Sequence, residues 1–128
     1  MVEPFAFTDR MGERFLRCHA VLMRAGALSI SEAALFGRPC VLVPFPRAAD
    51  DHQTENAREF CEAGAGTWMA EADAAPEALR ASLWSLAGDR NAREKAHAAS
   101  LSFAAPDAAV ETIRRALALA GVASLKEA

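Results

Sequence analysis

Two short segments carry the side chains best suited to chemistry. The first is Arg24-Ala-Gly-Ala-Leu-Ser-Ile-Ser-Glu32. A strand-length apolar run ends just before it, a turn containing Gly26 follows, and a helical pattern starts at about Ser29. A helix start presents unpaired backbone N–H groups and the positive end of the helix dipole, which together suit a phosphate or pyrophosphate. Gly26 offers an unobstructed backbone approach to such a ligand. Ser29-x-x-Glu32 has two readings. It is a capping box, with Ser29 capping the helix and Glu32 reaching back to it. Alternatively, the Glu32 carboxylate accepts hydrogen bonds from a pair of hydroxyls, as on a ribose.

The second segment is Pro44-Phe-Pro-Arg-Ala-Ala-Asp-Asp-His-Gln-Thr-Glu-Asn56. Pro44 and Pro46 stiffen the chain as it leaves a second apolar run. Asp50 or Asp51 is the expected cap of the next helix. His52, Gln53 and Asn56 fall in its first turns, with Gln53 and Asn56 on one face. Amide and imidazole groups both donate and accept, which suits a neutral polyol. A solvated helix start is the plainer reading of the same residues. The Asp50-Asp51 pair is read as a cap, not as a cation site. G-x-S-x-G, the Walker loop and G-x-G-x-x-G are all absent.

Parallel strands are what would bring these two segments together. His19 to Met23 and Cys40 to Pro44 are continuous apolar runs of strand length, as expected for strands buried on both faces. Gly66 to Ala70 is a weaker third candidate. Helical spacing covers Thr8–Arg17, Ser29–Phe36, Asp51–Glu62, Pro76–Ala87, Asn91–Ser100 and Asp107–Ala120. The 31 alanines, denser in the second half, favour helix there. Gly37-Arg-Pro39 should stop the second helix. In the last helix Val110, Ile113, Leu117 and Ala120 form an apolar stripe, read here as a packing face. The alternation predicts an α/β fold, a Rossmann-like three-layer parallel sheet. Ligands bind such sheets at the carboxyl ends of the strands, where both segments emerge.

The 128 residues fit a single domain, 52% hydrophobic and 24% charged, which excludes disorder. A formal charge of −3 argues against bulk neutralisation of nucleic-acid phosphates. No run nears the ~18 apolar residues of a membrane span. Met-Val-Glu-Pro has no basic leader, so no signal peptide and a cytoplasmic, reduced chain are expected. Cys18, Cys40 and Cys61 lack C-x-x-C spacing, and with the scattered His19, His52 and His97 they suggest no metal site.

Taken together, Arg24–Glu32, Gly37-Arg-Pro39 and Pro44–Asn56 resemble, in order and spacing, the C-terminal part of the MurG-like N-acetylglucosaminyltransferases of glycosyltransferase family 28. The resemblance runs from Val2 to the last helix. It implies a partial C-terminal domain of the two-domain GT-B fold, with βα units and the site over 1–70 and C-terminal helices over 71–128. It implies UDP-N-acetylglucosamine as donor substrate, with no cofactor and no metal. By this resemblance Arg24 lies near the phosphates, and Ala27 and Leu28, with the helix start at Ser29, line the pyrophosphate and sugar side. Glu32 holds the ribose, His52 and Gln53 contact the sugar, and Asn56 shapes their loop. Met23 departs from the family's common Ser before the Arg.

The catalytic base would lie in the family's N-terminal half, which the resemblance does not reach. The same holds for the Gly-rich loops and first strands of the donor domain. Val2 to Phe5 is read as the end of a strand, and the strand around Val21 as an unpaired sheet edge. The expected partners are therefore an N-terminal transferase half or a second copy meeting that edge. The expected activity is inverting transfer of N-acetylglucosamine to a lipid-linked muramyl acceptor. This chain would supply donor binding and would be inactive alone. A non-catalytic donor-binding subunit, or a relative acting on another glycolipid, remains the alternative. Attachment to the inner face of the membrane would come through the other half.

Overall fold

A computed structural model describes residues 4–48 and 51–119. Its order is α1 (Met11–Arg17), β1 (Val21–Met23), α2 (Ala27–Leu35), β2 (Cys40–Leu42), α3 (His52–Glu62), β3 (Gly66–Trp68), a 3-10 turn at Glu71–Asp73, α4 (Pro76–Ala87), α5 (Arg90–Phe103) and α6 (Ala108–Leu119). The three strands form one parallel sheet in the order β1-β2-β3. The register pairs Val21 with Cys40 and Cys40 with Gly66.

Strand β2 is central, and Cys40, Val41 and Leu42 are fully buried. Alternation divides them between two faces. Cys40 and Leu42 pack with Phe15, Ile30, Ala33, Ala34, Ala57 and Phe60 under α1, α2 and α3. Val41 packs on the other side with Leu79, Leu83 and Leu86 of α4. Helix α5 contributes to both layers, through Ala96 on the α4 side and through Ala99 and Phe103 on the other. Phe60 and Phe103 meet edge to face at 5.1 Å.

The helix ends set the strand starts. After α2 the Gly37 N–H bonds to the Ala34 carbonyl at 2.8 Å and the Arg38 N–H to that of Ala33 at 2.9 Å. This is the paired Schellman closure, with Gly37 at φ +61°. After α3, Gly64 and Ala65 repeat it on Cys61 and Phe60. Gly37 has a second constraint, because a Cβ there would overlap the His97 ring and sit 2.8 Å from Leu101.

Several expectations need correction. The strands are three residues each, so His19, Ala20, Val43, Pro44, Met69 and Ala70 lie outside them. Pro4 and Phe5 are not in a strand, and Val2 lies outside the described residues. Helix α1 begins at Met11 rather than Thr8, whose hydroxyl instead accepts the Arg10 N–H at 3.0 Å. Helix α5 extends beyond both expected ends, started by the Asp89 carboxylate, which accepts the Ala92 N–H at 2.7 Å. The stripe on α6 is present, but Val110 and Ile113 are about half exposed and α6 buries no residue, so it is not a packing face among the described residues. Ala120 lies outside them.

Cys40 sits in the core and Cys61 packs against it, while Cys18 is half-buried. Burial pushes Cys40 and Cys61 up to about 12, and Cys18 also upward. A thiol held neutral in the fold but ionising at its ordinary value of 9.0 when unfolded favours the fold below pH 9. That contribution is lost as pH rises from about 9 towards 12. Urea midpoints should therefore fall over that interval, and Cys40 should resist alkylation at pH 8 until the chain unfolds. Gly37→Ala should cost about 2–4 kcal/mol in urea unfolding, from left-handed strain plus overpacking against His97.

Candidate functional site

Because the strands are parallel, the chain after β1 and the chain after β2 leave the sheet at the same edge. The Val43 N–H bonds to the Met23 carbonyl at 3.0 Å and holds the two exits side by side. Side chains from each segment then bind the other. Arg24 Nη1 donates to the carbonyls of Val43 at 3.3 Å and Pro44 at 3.2 Å. Its guanidinium lies 5.7 Å from the centre of the Phe45 ring. Asn56 Nδ2 reaches from α3 to the Ala25 carbonyl at 3.1 Å. Gln53 Oε1 accepts the Phe45 N–H at 2.9 Å. These partners fix the orientation of both amides, since a carbonyl can only accept and an N–H can only donate. The Gln53 amino group is thereby left as a donor.

Helix α2 begins two residues earlier than its polar residues suggest. Gly26 is its N-cap at φ −69°, and no side chain caps it. Ser29 is therefore the third helical residue, and Glu32 lies in the second turn. The Ser29–Glu32 capping box does not form. Apolar Ala27 and Leu28 hid the true start, because the first turn carries none of the usual capping residues. Among the described residues, the N–H groups of Ala27, Leu28 and Ser29 donate to nothing. Gly26 takes an ordinary backbone conformation, and a Cβ there would meet only Ser29 Oγ at 3.7 Å. Its value is an open approach, without any need for left-handed backbone.

The remaining predicted residues stand around this start. Ala27, Ser29 and Glu32 are exposed, and Leu28 is 82% exposed. Glu32 has no partner among the described residues. His52 is exposed at the first position of α3. Asp51 precedes it in the left-handed region at φ 53° and does not cap α3. Its carboxylate instead accepts the Thr54 hydroxyl at 2.6 Å. Asp50 lies outside the described residues. The structure thus joins Arg24, Gln53 and Asn56 through backbone, while Glu32 and Leu28 project from α2 without contacting them.

Glu71 was not anticipated. Its carboxylate forms an ion pair with Arg24, both side chains about half exposed. Arg24 and Glu71 flank a cleft of about 380 Å³ whose apolar wall includes Leu22, Met23, Val43 and Leu79. Glu71 follows β3, so the same carboxyl-edge reasoning extended to the third strand would have found it. Among the described residues no cluster of His, Cys, Asp and Glu could hold a metal ion. None of the described helices is long and apolar enough to cross a membrane.

Loss of the Asn56 amide would leave the Ala25 carbonyl unpaired. Asn56→Ala should cost about 1–2 kcal/mol in urea unfolding. Asn56→Asp should cost more, because a carboxylate has no proton to offer that carbonyl. Amide exchange at Gly26–Leu28 should accelerate in both variants, and unchanged exchange would mean the bond does not hold the turn.

The sequence model of the glycosyltransferase family 28 C-terminal domain matches residues 1–112. The UDP-N-acetylglucosamine--N-acetylmuramyl-(pentapeptide) pyrophosphoryl-undecaprenol N-acetylglucosamine transferase of Rhodospirillum centenum is 42% identical over 119 residues, covering 93% of this chain and 31% of that protein. The enzyme of the same name from Rhodospirillum rubrum is 43% identical over 105 residues, covering 82% and 27%. The crystal structure of Acinetobacter baumannii MurG superposes with a TM-score of 0.79 at 28% identity, over 88% of this chain and 34% of that one. The chain spans about a third of the length of the relatives it matches. Its fold is the C-terminal part of the GT-B glycosyltransferase fold, and the chain belongs to the glycosyltransferase family 28 C-terminal domain family.

Proposed function

We propose that this chain is one unit carrying the donor-binding surface of an inverting transferase that moves N-acetylglucosamine from UDP to a lipid-linked muramyl acceptor. The observation that carries this reading is the uncapped start of α2 at the carboxyl edge of the sheet. Three N–H groups without a partner among the described residues, and the positive dipole end, suit a diphosphate, and suit it more as charge grows on the departing UDP. A side-chain cap would have spent one of those donors within the helix itself.

The other residues then take roles that the geometry supports. Glu32, exposed and unpartnered among the described residues, accepts from the ribose hydroxyls. The Gln53 amino group, left over from its bond to Phe45, donates to a sugar hydroxyl, with His52 beside it. Asn56 positions the turn before α2 and touches no substrate. Arg24 is shared between Glu71, the loop carbonyls and the phosphates, so it sets loop position as well as charge. No residue here is assigned as the base that activates the acceptor. That role, the acceptor surface and contact with the membrane's inner face belong to the N-terminal half of the transferase.

Strand β1 supports a partner of that kind. Among the described residues it pairs with β2 on one side only, and Leu22 is 42% exposed. A further strand, from the same polypeptide, a separate subunit or a second copy, fits that edge. A non-catalytic donor-binding subunit shares the same donor site and differs only in where this strand comes from.

Calorimetric titration with UDP-N-acetylglucosamine, UDP and UDP-glucose tests the donor role. Selective binding of the N-acetylglucosamine donor is expected, with no sugar transfer by the chain alone. Glu32→Gln should weaken UDP about tenfold with little change in the urea midpoint, since the side chain is exposed. Gln53→Ala should weaken UDP-N-acetylglucosamine more than UDP. A folded chain that binds none of the three would sink the proposal, and equal weakening of both ligands by Gln53→Ala would remove the sugar role.

A further inference from the structure

The amino ends of the strands hold a second group of polar side chains that the donor edge does not use. His19 precedes β1, Gly37-Arg38-Pro39 precedes β2, and α5 crosses beneath them. Between them opens a cleft of about 230 Å³ lined by His19, Arg38, Arg93, Glu94 and His97. Because the sheet is parallel, this cleft lies at the opposite end from Arg24 and the start of α2.

Among the described residues, Arg38 and Arg93 bond only to backbone carbonyls. Arg38 Nη1 donates to the Cys18 carbonyl at 2.9 Å, while its Nε is buried and finds no acceptor among the described residues. Arg93 Nη1 donates to the Ala87 carbonyl at 2.7 Å. Neither guanidinium meets a carboxylate among the described residues. Glu94 lines the same cleft but is paired with Arg90 at 2.8 Å and forms no ion pair with Arg38 or Arg93 among the described residues, so the cations of the cleft outnumber its one carboxylate. His97 places Nδ1 2.6 Å from the Gly37 carbonyl, which fixes the proton on Nδ1 and leaves Nε2 towards other partners. The chain as a whole carries −3, so this excess of positive charge is local.

A partly enclosed pair of guanidiniums that no carboxylate pairs directly favours an anion. The donors come from the turn before β2 and from α5, with His19 on a third segment. That spread suits a tetrahedral phosphate group better than a flat carboxylate, and forked guanidiniums match phosphate oxygens. We propose that the cleft is a binding site for a phosphate-type oxyanion, either a soluble phosphate ester or a lipid headgroup, separate from the donor edge.

The test follows the 128-residue chain by two-dimensional NMR at constant ionic strength, with inorganic phosphate against chloride. Saturable shifts are expected at Gly37, Arg38, Arg93 and His97 with phosphate only. Arg93→Gln and Arg38→Gln should each weaken the response about tenfold, while Arg80→Gln, which removes a charge from α4, should not. Arg93→Gln keeps the test decisive if loss of the Arg38–Cys18 bond unfolds the other variant. Sedimentation with phosphatidylglycerol against phosphatidylcholine vesicles separates the sources. Binding to the anionic vesicles that free phosphate displaces assigns a headgroup, and phosphate binding without vesicle binding assigns a soluble ester. Equal shifts with chloride, or shifts that survive Arg93→Gln, overturn the proposal.

Discussion

Strand β2 has neighbours on both edges and packed layers on both faces, and everything else is arranged around that requirement. Its N–H and C=O groups must be paired by strands on either side, because water does not reach them. Parallel pairing meets this only if each strand returns through a helix, and that in turn sends both loops out at the same edge. The meeting of Arg24, Gln53 and Asn56 is thus a consequence of burying three apolar residues. The three cross-segment hydrogen bond systems refine a proximity that the topology has already imposed.

The two ends of the sheet differ in how their polar groups are satisfied. At the carboxyl edge, amides and a guanidinium are tied to carbonyls of the facing loop, while the N–H groups at the start of α2 stay open. At the amino edge the reverse holds, with helix ends closed by their own glycines and arginine side chains in excess. One edge therefore offers backbone donors with a carboxylate nearby, and the other offers side-chain cations. This asymmetry keeps the two proposed sites chemically distinct although both take oxygen-rich anions.

Much of the architecture was legible because its causes are local. Apolar runs of strand length and the Gly37 and Gly64 stops report the βα alternation directly, and the parallel edge rule then brings the two segments together. The ends of elements were less legible, for a definite reason. Ser29 and Glu32 form a good capping pattern, yet the helix starts at Ala27, where the exit from β1 directs the chain. Asp51 had the composition of a cap and took a left-handed backbone instead, spending its carboxylate on Thr54. Glu71 could be placed at the carboxyl edge by extending the edge rule to β3, but its pairing with Arg24, 47 positions away, is encoded by no local pattern. The stripe on α6 announced an apolar face correctly, but a stripe does not name what it packs against.

The repeated closure after α2 and α3 has a consequence for how this chain tolerates change in length. Strands of three residues hold their own register weakly, and a slip of one residue would exchange their buried faces. Here the register is dictated by the preceding helix end, since Gly37 and Gly64 deliver the chain to β2 and β3 at a fixed offset. An inserted residue in either turn would turn Cys40 and Leu42, or Gly66 and Trp68, onto the wrong side. An insertion beyond Pro44 merely lengthens a loop. Variation in length is therefore confined to the carboxyl edge, where the donor site is proposed, and the opposite edge acts as the ruler from which the sheet is measured.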